Sequence, residues 1–425
     1  VTPFEELVTE RRVHRSVYTD DALFALEMVK VFGATWTYVA HESEIPEPDD
    51  FVRRNLGCRP VIVTRGGDGA LHVLLNRCPH RAATVCRVDE GTAKRFTCPY
   101  HGWTFANDGA CVGVPLPGAY GPAFDKSALA LGRTRTESYR GFIFATLNAD
   151  EPGLVRHLGP VTGRLDEWID RAGGRVVVRH GAHRLVYHGN WKLAVDNSGD
   201  GYHPGYSHKS LLAMRKERYG PGVDMQYVLN NVDVGRQYVQ DLGRGHHFLD
   251  QRDEIESYWP QAAPSPGREA YEAVLTDRLG AHDAEPFLES AVGSGMNLNV
   301  FPNLLIIGNQ IQVVEPLAVD RTQLTWYATS IGAGPDEISS IRMRLQEDFP
   351  SFGEPDDLAN FEEVQRGLAV PEMEWIMTDR HLDSGTETVS EDGLLTGKVT
   401  DELTLRAFWR RWRELMGSDQ KLEAK

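Results

Sequence analysis

The sequence predicts an α+β protein in two parts: a small all-β domain that presents paired Cys/His loops, and a larger domain that mixes strands with helices. Three observations predict it. Residues 40–150 read as short β-type runs separated by Gly- and Asp-rich turns. Inside that region lie Cys78-Pro79-His80 and, seventeen residues on, Cys98-Pro99-Tyr100-His101. Beyond residue 153, helical and strand patterns alternate around a dense polar run, Asp196 to His208.

Size and charge narrow the function. A chain of 425 residues can bury two or three cores. No apolar run approaches the ~18 residues that would span a membrane, and Val1–Arg12 has no apolar signal core. The net charge of −16 argues against nucleic acid as a partner. Five cysteines, an odd and scattered set, form no disulfide framework and point to a reducing, cytoplasmic setting. Cys58, Cys86 and Cys111, outside the motif, read as small buried apolar residues.

In chain order, residues 1–37 read as a helical segment packing on the larger domain, with Thr19-Asp20-Asp21 capping a helix that runs to Phe32. Residues 38–152 form the small domain. Its strands are Trp36–Ala40, Pro60–Arg65, Leu71–Asn76, Arg95–Thr97, a hairpin at Thr104–Gly109, and Gly141–Leu147. After a linker at Glu151-Pro152-Gly153, residues 153–425 form the second domain. Leu154–Arg171 has helical periodicity. Val176–Val178, His183–Tyr187, Asn297–Asn303, Gln312–Val314 and Gln323–Ala328 read as strands. Residues 335–348, 356–367 and 400–416 read as helices.

Two Cys and two His fit either a redox-silent tetrahedral zinc site or the mixed ligand set of a Rieske [2Fe–2S] centre, with Cys on one iron and His on the other. The pairing of Cys with His in each loop favours the cluster, because a zinc site more often pairs like with like. Pro79 and Pro99 stiffen the loops, and Trp103 can shield the side of the second His. The loops resemble those of the Rieske domain of aromatic-ring-hydroxylating oxygenases, C-x-H-R-G and C-x-x-H-G-W. Ala82 replaces the usual Gly.

In the second constellation, Asp200 and His203 are three apart and share a helical face. His203 and His208, five apart, point roughly 140° from each other on an ideal helix. They converge only if the helix breaks, and Pro204-Gly205 supplies the break. Two His and one carboxylate make a set that leaves iron(II) positions open to oxygen. Asp196–His208 also resembles the oxygenase pattern [DE]-N-x-x-D-x-Y-H-x-x-x-x-H. The resemblance implies His203 and His208 as iron ligands and Asp200 as the acid linking that iron to a Rieske His of a neighbouring subunit. The family's third ligand is the second Asp of an Asp-Asp pair, which matches Asp357. Asp356 then reads as the helix cap.

The chain thus resembles the large (α) subunit of a Rieske non-haem iron oxygenase, of the benzoate, anthranilate and terephthalate type. That implies a helix-grip-like second domain, a curved antiparallel sheet covered by helices. It also implies a [2Fe–2S] cluster on Cys78, His80, Cys98 and His101, and Fe(II) on His203, His208 and Asp357. Electrons would come from NAD(P)H through a reductase or ferredoxin, and O2 would add to an aromatic ring as a cis-dihydrodiol. The assembly would be an α3β3 complex with a small β subunit. A carboxylated ring needs a cation in the pocket. Lys398 is the candidate, with Arg215 and Lys216 as others, and His246 and His247 either approach the pocket or pack elsewhere. The rival readings are a Rieske monooxygenase, a non-catalytic electron carrier and a zinc-stabilised binding protein.

Overall fold

Asp20 starts the first long helix: its Oδ1 accepts from the backbone N–H groups of Ala22 and Leu23 at 2.7 and 3.1 Å, satisfying donors that have no partner inside the helix. The computed structural model describes residues 4–219, 237–251, 268–284, 296–332, 339, 342–343, 346–347 and 349–418. The chain forms two compact units, Val1–Leu26 with Leu158–Ser418, and Glu27–His157.

The N-terminal segment is less helical than its sequence suggests. It holds α1 (Phe4–Leu7), β1 (Arg12–His14), α2 (Ser16–Thr19) and α3 (Asp21–Lys30). The strand pairs antiparallel with Trp375–Met377. Three residues are too few to show an alternating pattern, and the partner lies far along the chain. Val13, fully buried at the centre of the strand, anchors the pair.

The Glu27–His157 unit is all-β apart from short helical turns. It contains β2 (Thr37–His41), β3 (Asp50–Leu56), β4 (Arg59–Arg65), β5 (Leu71–Leu75), β6 (Glu90–Thr92), β7 (Arg95–Thr97), β8 (Thr104–Ala106), β9 (Cys111–Gly113), β10 (Arg135–Tyr139) and β11 (Phe142–Thr146). These form antiparallel sheets ordered β10-β11-β2, β5-β4-β3-β6 and β7-β8-β9. Alternation along β4 divides the interior. Val61 and Val63 join Val39, Val52, Val73 and Ile143 in one core. Ile62 faces the other way, into a core with Leu74, Phe96 and Phe105 that backs Cys78 and Cys98. Each such buried aliphatic side chain contributes about 1.5–3 kcal/mol.

The predicted helix Leu154–Arg171 is two, α4 (Leu154–Leu158) and α5 (Val161–Arg171). Gly159 sits at φ +52° and Pro160 follows it, which ends one helix and starts the next. Conversely, the two predicted strands at 176–187 are one, β12 (Val176–Tyr187), with a register shift between Val178 and Ala182. There follow α6 (Lys192–Ser198), α7 (Pro204–Ser207), α8 (Lys209–Tyr219), β13 (Tyr238–Gly243), β14 (His246–Asp250), α9 (Arg268–Leu279), β15 (Met296–Val300), β16 (Leu304–Ile307), β17 (Gln310–Ala318) and β18 (Arg321–Ile331). The predicted helix at 335–348 lies largely outside the described residues. The chain then runs through a π-type turn at Phe349–Gly353 into α10 (Glu354–Gly367), β19 (Trp375–Met377), β20 (Thr388–Val389), β21 (Leu395–Lys398) and α11 (Leu403–Gly417).

The second unit is built on one antiparallel sheet of nine described strands, ordered β12-β18-β17-β16-β15-β14-β13-β21-β20. Helix α11 lies across β13 and β14. Its Leu403, Ala407, Phe408, Trp412 and Leu415 recur at helical spacing and are buried. Together the two units make the α+β class with an antiparallel sheet and covering helices that the sequence implied.

Candidate metal centres

In the β unit, the two Cys/His loops are copies of one turn. Cys78 N–H donates to Ala83 O at 2.8 Å, and Ala82 N–H to Cys78 O at 3.0 Å. In the second loop Cys98 N–H donates to Trp103 O at 2.7 Å, and Gly102 N–H to Cys98 O at 2.9 Å. The turn needs a left-handed residue in fourth place after the Cys, and both loops have one: Ala82 at φ +61° and Gly102 at φ +72°. Glycine adopts this freely; alanine pays about 1–2 kcal/mol for it. The Ala that departs from the usual loop pattern therefore keeps the turn, under strain.

The loops bring their donors together. Cys78 and Cys98 are buried and their sulfurs interact; burial, then the neighbouring thiol, pushes Cys78 above the ordinary thiol range. The His80 and His101 rings lie 4.5 Å apart, and His80 Nδ1 is buried with no hydrogen-bond partner. Two adjoining buried thiols and an imidazole nitrogen without a hydrogen bond are what a thiolate- and imidazole-bound metal centre would satisfy. Trp103 does not cover the His101 side. It stacks flat on His80, with centroids 5.0 Å apart and planes 1° apart.

Asn76 is the residue the sequence did not single out here. Its Nδ2 donates to Cys86 O at 2.7 Å, and its Oδ1 accepts from Val85 N–H and Cys86 N–H at 2.9 Å each. It thus ties the far end of the first loop to the end of β5. Cys86 and Cys111 are buried as expected, whereas Cys58 is exposed. It follows Gly57, at φ +59°, in the tight turn between β3 and β4, where a side chain faces outward.

In the sheet unit, the chain leaves α6 at Ser198, turns through Gly199–Tyr202, and enters α7 and α8 in succession. His203 precedes α7 and His208 follows it. Pro204-Gly205 is not the break. Pro204 occupies the first turn of α7, where its missing N–H costs nothing, and the breaks fall before His203 and at His208. That still turns both rings inward. Asp357, in the first turn of α10, meets them: its Oδ1 lies 3.5 Å from His203 Nε2 and 3.4 Å from His208 Nε2. The ligand atoms of the three residues all lie within 4.8 Å of one another.

The outer nitrogens face carboxylates. His203 Nδ1 lies 3.5 Å from Asp200 Oδ2, and His208 Nδ1 lies 3.6 Å from Asp356 Oδ2. At these separations the contacts are electrostatic rather than hydrogen bonds, and each carboxylate favours the tautomer that turns Nδ1–H toward it. Asp356 is therefore not the helix cap. Gly353 holds that position, without a side-chain hydrogen bond, and Asp356 and Asp357 both lie in the first turn beyond it. Asn197 hydrogen-bonds Asp357; the sequence pattern contained Asn197 but assigned it no task.

Without a metal this cluster is electrostatically unsettled. Burial raises Asp357 to about 7 against the pull of His203. Burial also disfavours the His203 imidazolium, yet Asp200 and Asp357 outweigh it and leave its pKa raised. Asp357 Oδ1 is buried and accepts no hydrogen bond. Two imidazoles and one carboxylate, converging on a point that no protein donor fills, suit a divalent cation such as iron(II).

Lys398 ends β21 opposite Tyr238, and its backbone N–H donates to Asp401 Oδ2 at 2.9 Å. The side chains of Arg215 and Lys216 lie outside the described set. His246 and His247 are both buried; His246 Nδ1 accepts from Phe301 N–H at 2.9 Å.

Comparison with known proteins agrees with this pairing of centres. Residues 35–131 match the family model of the Rieske [2Fe-2S] domain. Residues 175–418 match that of the ring hydroxylating alpha subunit (catalytic domain). The large subunit of 2-halobenzoate 1,2-dioxygenase from Burkholderia cepacia is 34% identical over 383 residues, 86% of this chain and 78% of the relative. The large subunit of anthranilate 1,2-dioxygenase from Acinetobacter baylyi is 34% identical over 373 residues, 84% of this chain and 77% of the relative. The crystal structure of naphthalene 1,2-dioxygenase from Rhodococcus sp. superposes with a TM-score of 0.81 at 26% identity, over 96% of this chain and 95% of that one. Among the described residues, no helix is long and apolar enough to cross a membrane.

Proposed function

This chain belongs to the family of ring-hydroxylating α subunits, and from that premise we propose that it is a terminal oxygenase component that cis-dihydroxylates an aromatic carboxylate, such as a benzoate or a terephthalate. The observation that carries the reading is the meeting of His203, His208 and Asp357 in one unit of a chain whose other unit holds the paired Cys/His turns. A non-catalytic carrier or a zinc-stabilised binding protein has no use for the first set.

Cys78, His80, Cys98 and His101 would hold the [2Fe–2S] cluster, and His203, His208 and Asp357 the iron. When bound, the cluster supplies single electrons and the iron supplies a place to activate O2. The chain's own residues set the rest. Trp103 stacks on one face of the His80 ring and shields that face. Asp200 and Asp356 orient the two imidazoles so that each offers Nε2. Asn197 holds the Asp357 carboxylate, leaving one oxygen for the metal. In the net reaction O2 takes up four electrons, two from a ring double bond and two from NAD(P)H, and two protons complete the diol.

The relatives' names include 2-halobenzoate and anthranilate dioxygenases, which supports a carboxylated ring. Lys398 is the cation we assign to that carboxylate. The Rieske domain is taken as residues 38–152, the catalytic domain as 153–425, and 1–37 as a segment packing on the latter. The working assembly is a cytoplasmic α3β3 complex fed by a reductase, directly or through a ferredoxin, with Asp200 passing electrons between neighbouring α chains. Two measurements test this. Asp200→Asn should retain both metals yet stop product formation; unchanged turnover removes Asp200 from the pathway. With isotopically labelled O2, one product molecule should carry two labelled atoms. A single labelled atom makes the enzyme a monooxygenase.

A further inference from the structure

The turn between α6 and α7, which carries Asp200, is held from outside by segments near the end of the chain. Thr404 Oγ1 donates to Gly199 O at 2.7 Å, and Val399 leaves no room for a Cβ on Gly201. The third hold is on Tyr202, and it is electrostatic. The Arg380 guanidinium carbon lies 3.8 Å from the centre of the Tyr202 ring, where the negative face of an aromatic attracts a cation.

Arg380 is fixed independently of the ring. Its Nε donates to Thr400 O at 2.9 Å and its backbone N–H to Glu402 Oε2 at 2.8 Å. Arg406, buried on α11, donates from Nη1 to Thr378 O at 2.8 Å and to Arg380 O at 3.3 Å. A planar guanidinium anchored at Nε presents its face in one direction. Tyr202 is less well supported. It is 38% exposed, and the Tyr206 ring, 5.6 Å away, belongs to a residue more exposed still. The Arg380 contact is therefore what limits where the Tyr202 ring lies.

Tyr202 in turn sets Asp200. Its backbone N–H donates to Asp200 Oδ1 at 2.6 Å, which leaves Oδ2 to face His203 Nδ1 at 3.5 Å. The Asp200 side chain is 31% exposed, so one carboxylate adjoins both a candidate iron ligand and the protein surface. Glu402 lies within reach of the same charges. Burial raises its carboxyl above the ordinary range against the bond from Arg380 N–H; the Asp200 charge adds to the rise and the Arg380 charge opposes it. The cation thus sits among the acids of this turn as well as on its aromatic ring.

We propose that Arg380 is a positioning residue for electron transfer: stacked on Tyr202, it holds the Asp200 carboxylate in the orientation that links His203 to the cluster of a neighbouring chain. It touches neither metal nor substrate and acts through Tyr202. The assignment rests on the reading of Asp200 given above and extends it to a residue from a distant segment.

The test follows a single electron through the metal-loaded enzyme and needs no substrate. Both centres start oxidised. A light flash on deazaflavin, with an amine as sacrificial donor, reduces the cluster and bleaches its visible band. As the cluster gives that electron to iron(III), leaving iron(II), the band recovers, and the recovery rate is the rate between the centres. Arg380→Ala should slow recovery by about 10- to 100-fold, with iron, sulfide and the bleached spectrum as in wild type. Tyr202→Leu should be equally slow, and the double variant no slower than either, because both changes remove the same contact. Tyr202→Phe keeps the aromatic face and should stay within about threefold of wild type.

Wild-type recovery in Arg380→Ala overturns the proposal, and so does slow recovery accompanied by lost iron, because Arg380 then supports the ligand set as a whole. Losses that multiply in the double variant, or a Tyr202→Phe as slow as Tyr202→Leu, also overturn it, since the stacked contact is then not the link. In each of these cases slow recovery in Asp200→Asn leaves the Asp200 reading standing. Wild-type recovery in Asp200→Asn, or no recovery in wild type itself, overturns that reading and this proposal with it.

Discussion

Gly201→Ala should damage the iron site while leaving the cluster intact. Gly201 lies in the turn between α6 and α7, flanked by Asp200 and two residues before His203. A Cβ there would run into the backbone carbonyl of Val399 and come 2.6 Å from Val399 Cγ2. Val399 is fully buried and follows β21 directly, so it cannot give way by rotating into solvent. Opening the Cγ2 contact to an ordinary 3.4 Å needs about 0.8 Å of movement, and the carbonyl demands more. The turn must take up that movement, carrying Asp200 and His203 with it. A displacement near 1 Å at a reacting centre costs about 100-fold in rate. Gly163→Ala is the control: nothing lies within 4 Å of its added Cβ, and in the first turn of α5 it should stabilise by up to about 0.5–1 kcal/mol. The assay is iron and acid-labile sulfide content, with product formed per O2 consumed. The expected result for Gly201→Ala is a full complement of sulfide, reduced total iron and a turnover loss of about 100-fold. Full iron with turnover near wild type would refute the claim that the ligands depend on this close approach.

Two further predictions follow from strain and burial. Ala82→Gly removes the left-handed strain at φ +61° at the expense of a more flexible unfolded chain, so the gain should be about 1 kcal/mol or less; clear destabilisation in a chemical-denaturation series would show that the Ala82 methyl packs. Asp196 accepts from Tyr18 Oη at 2.7 Å and Trp409 Nε1 at 3.1 Å, and burial raises it to about 7, against about 3.9 in an unfolded chain. Between those values only the folded state holds the proton, so its contribution is fully present below pH ~4 and is lost as pH rises through 7. Melting temperatures of wild type and Asp196→Asn from pH 5 to 8.5 should diverge in slope, with wild type losing more; parallel curves would remove Asp196 from the pH dependence.

The candidate metal sites could be picked out in the sequence because the chemistry proposed for them is carried by few residue types at tight spacing. Cys78, His80, Cys98 and His101 sit in two short turns whose hydrogen bonds are local, and His203 and His208 flank one helical turn. Strands β4, β5, β7 and β11 showed as β-type runs for the same local reason. Other features depend on partners distant in sequence. The β1–β19 pair joins segments about 360 residues apart. The contact of Asp356 with His208 and the Asn76 tie to Cys86 needed a folded chain to appear. The closeness of Gly199 and Gly201 to His247 and Val399 leaves no mark in the sequence beyond the glycines themselves. Pro204 misled because a proline marks a helix start as readily as a break.

The central claim is that one chain holds two different iron centres, one a cluster with sulfide and one a single ion. Anaerobically purified protein, assayed for iron, zinc and acid-labile sulfide and examined by EPR after dithionite reduction, tests it most directly. The account predicts about three irons and about two sulfides per chain, with a Rieske-type signal. Zinc in place of iron, with no sulfide, would contradict it.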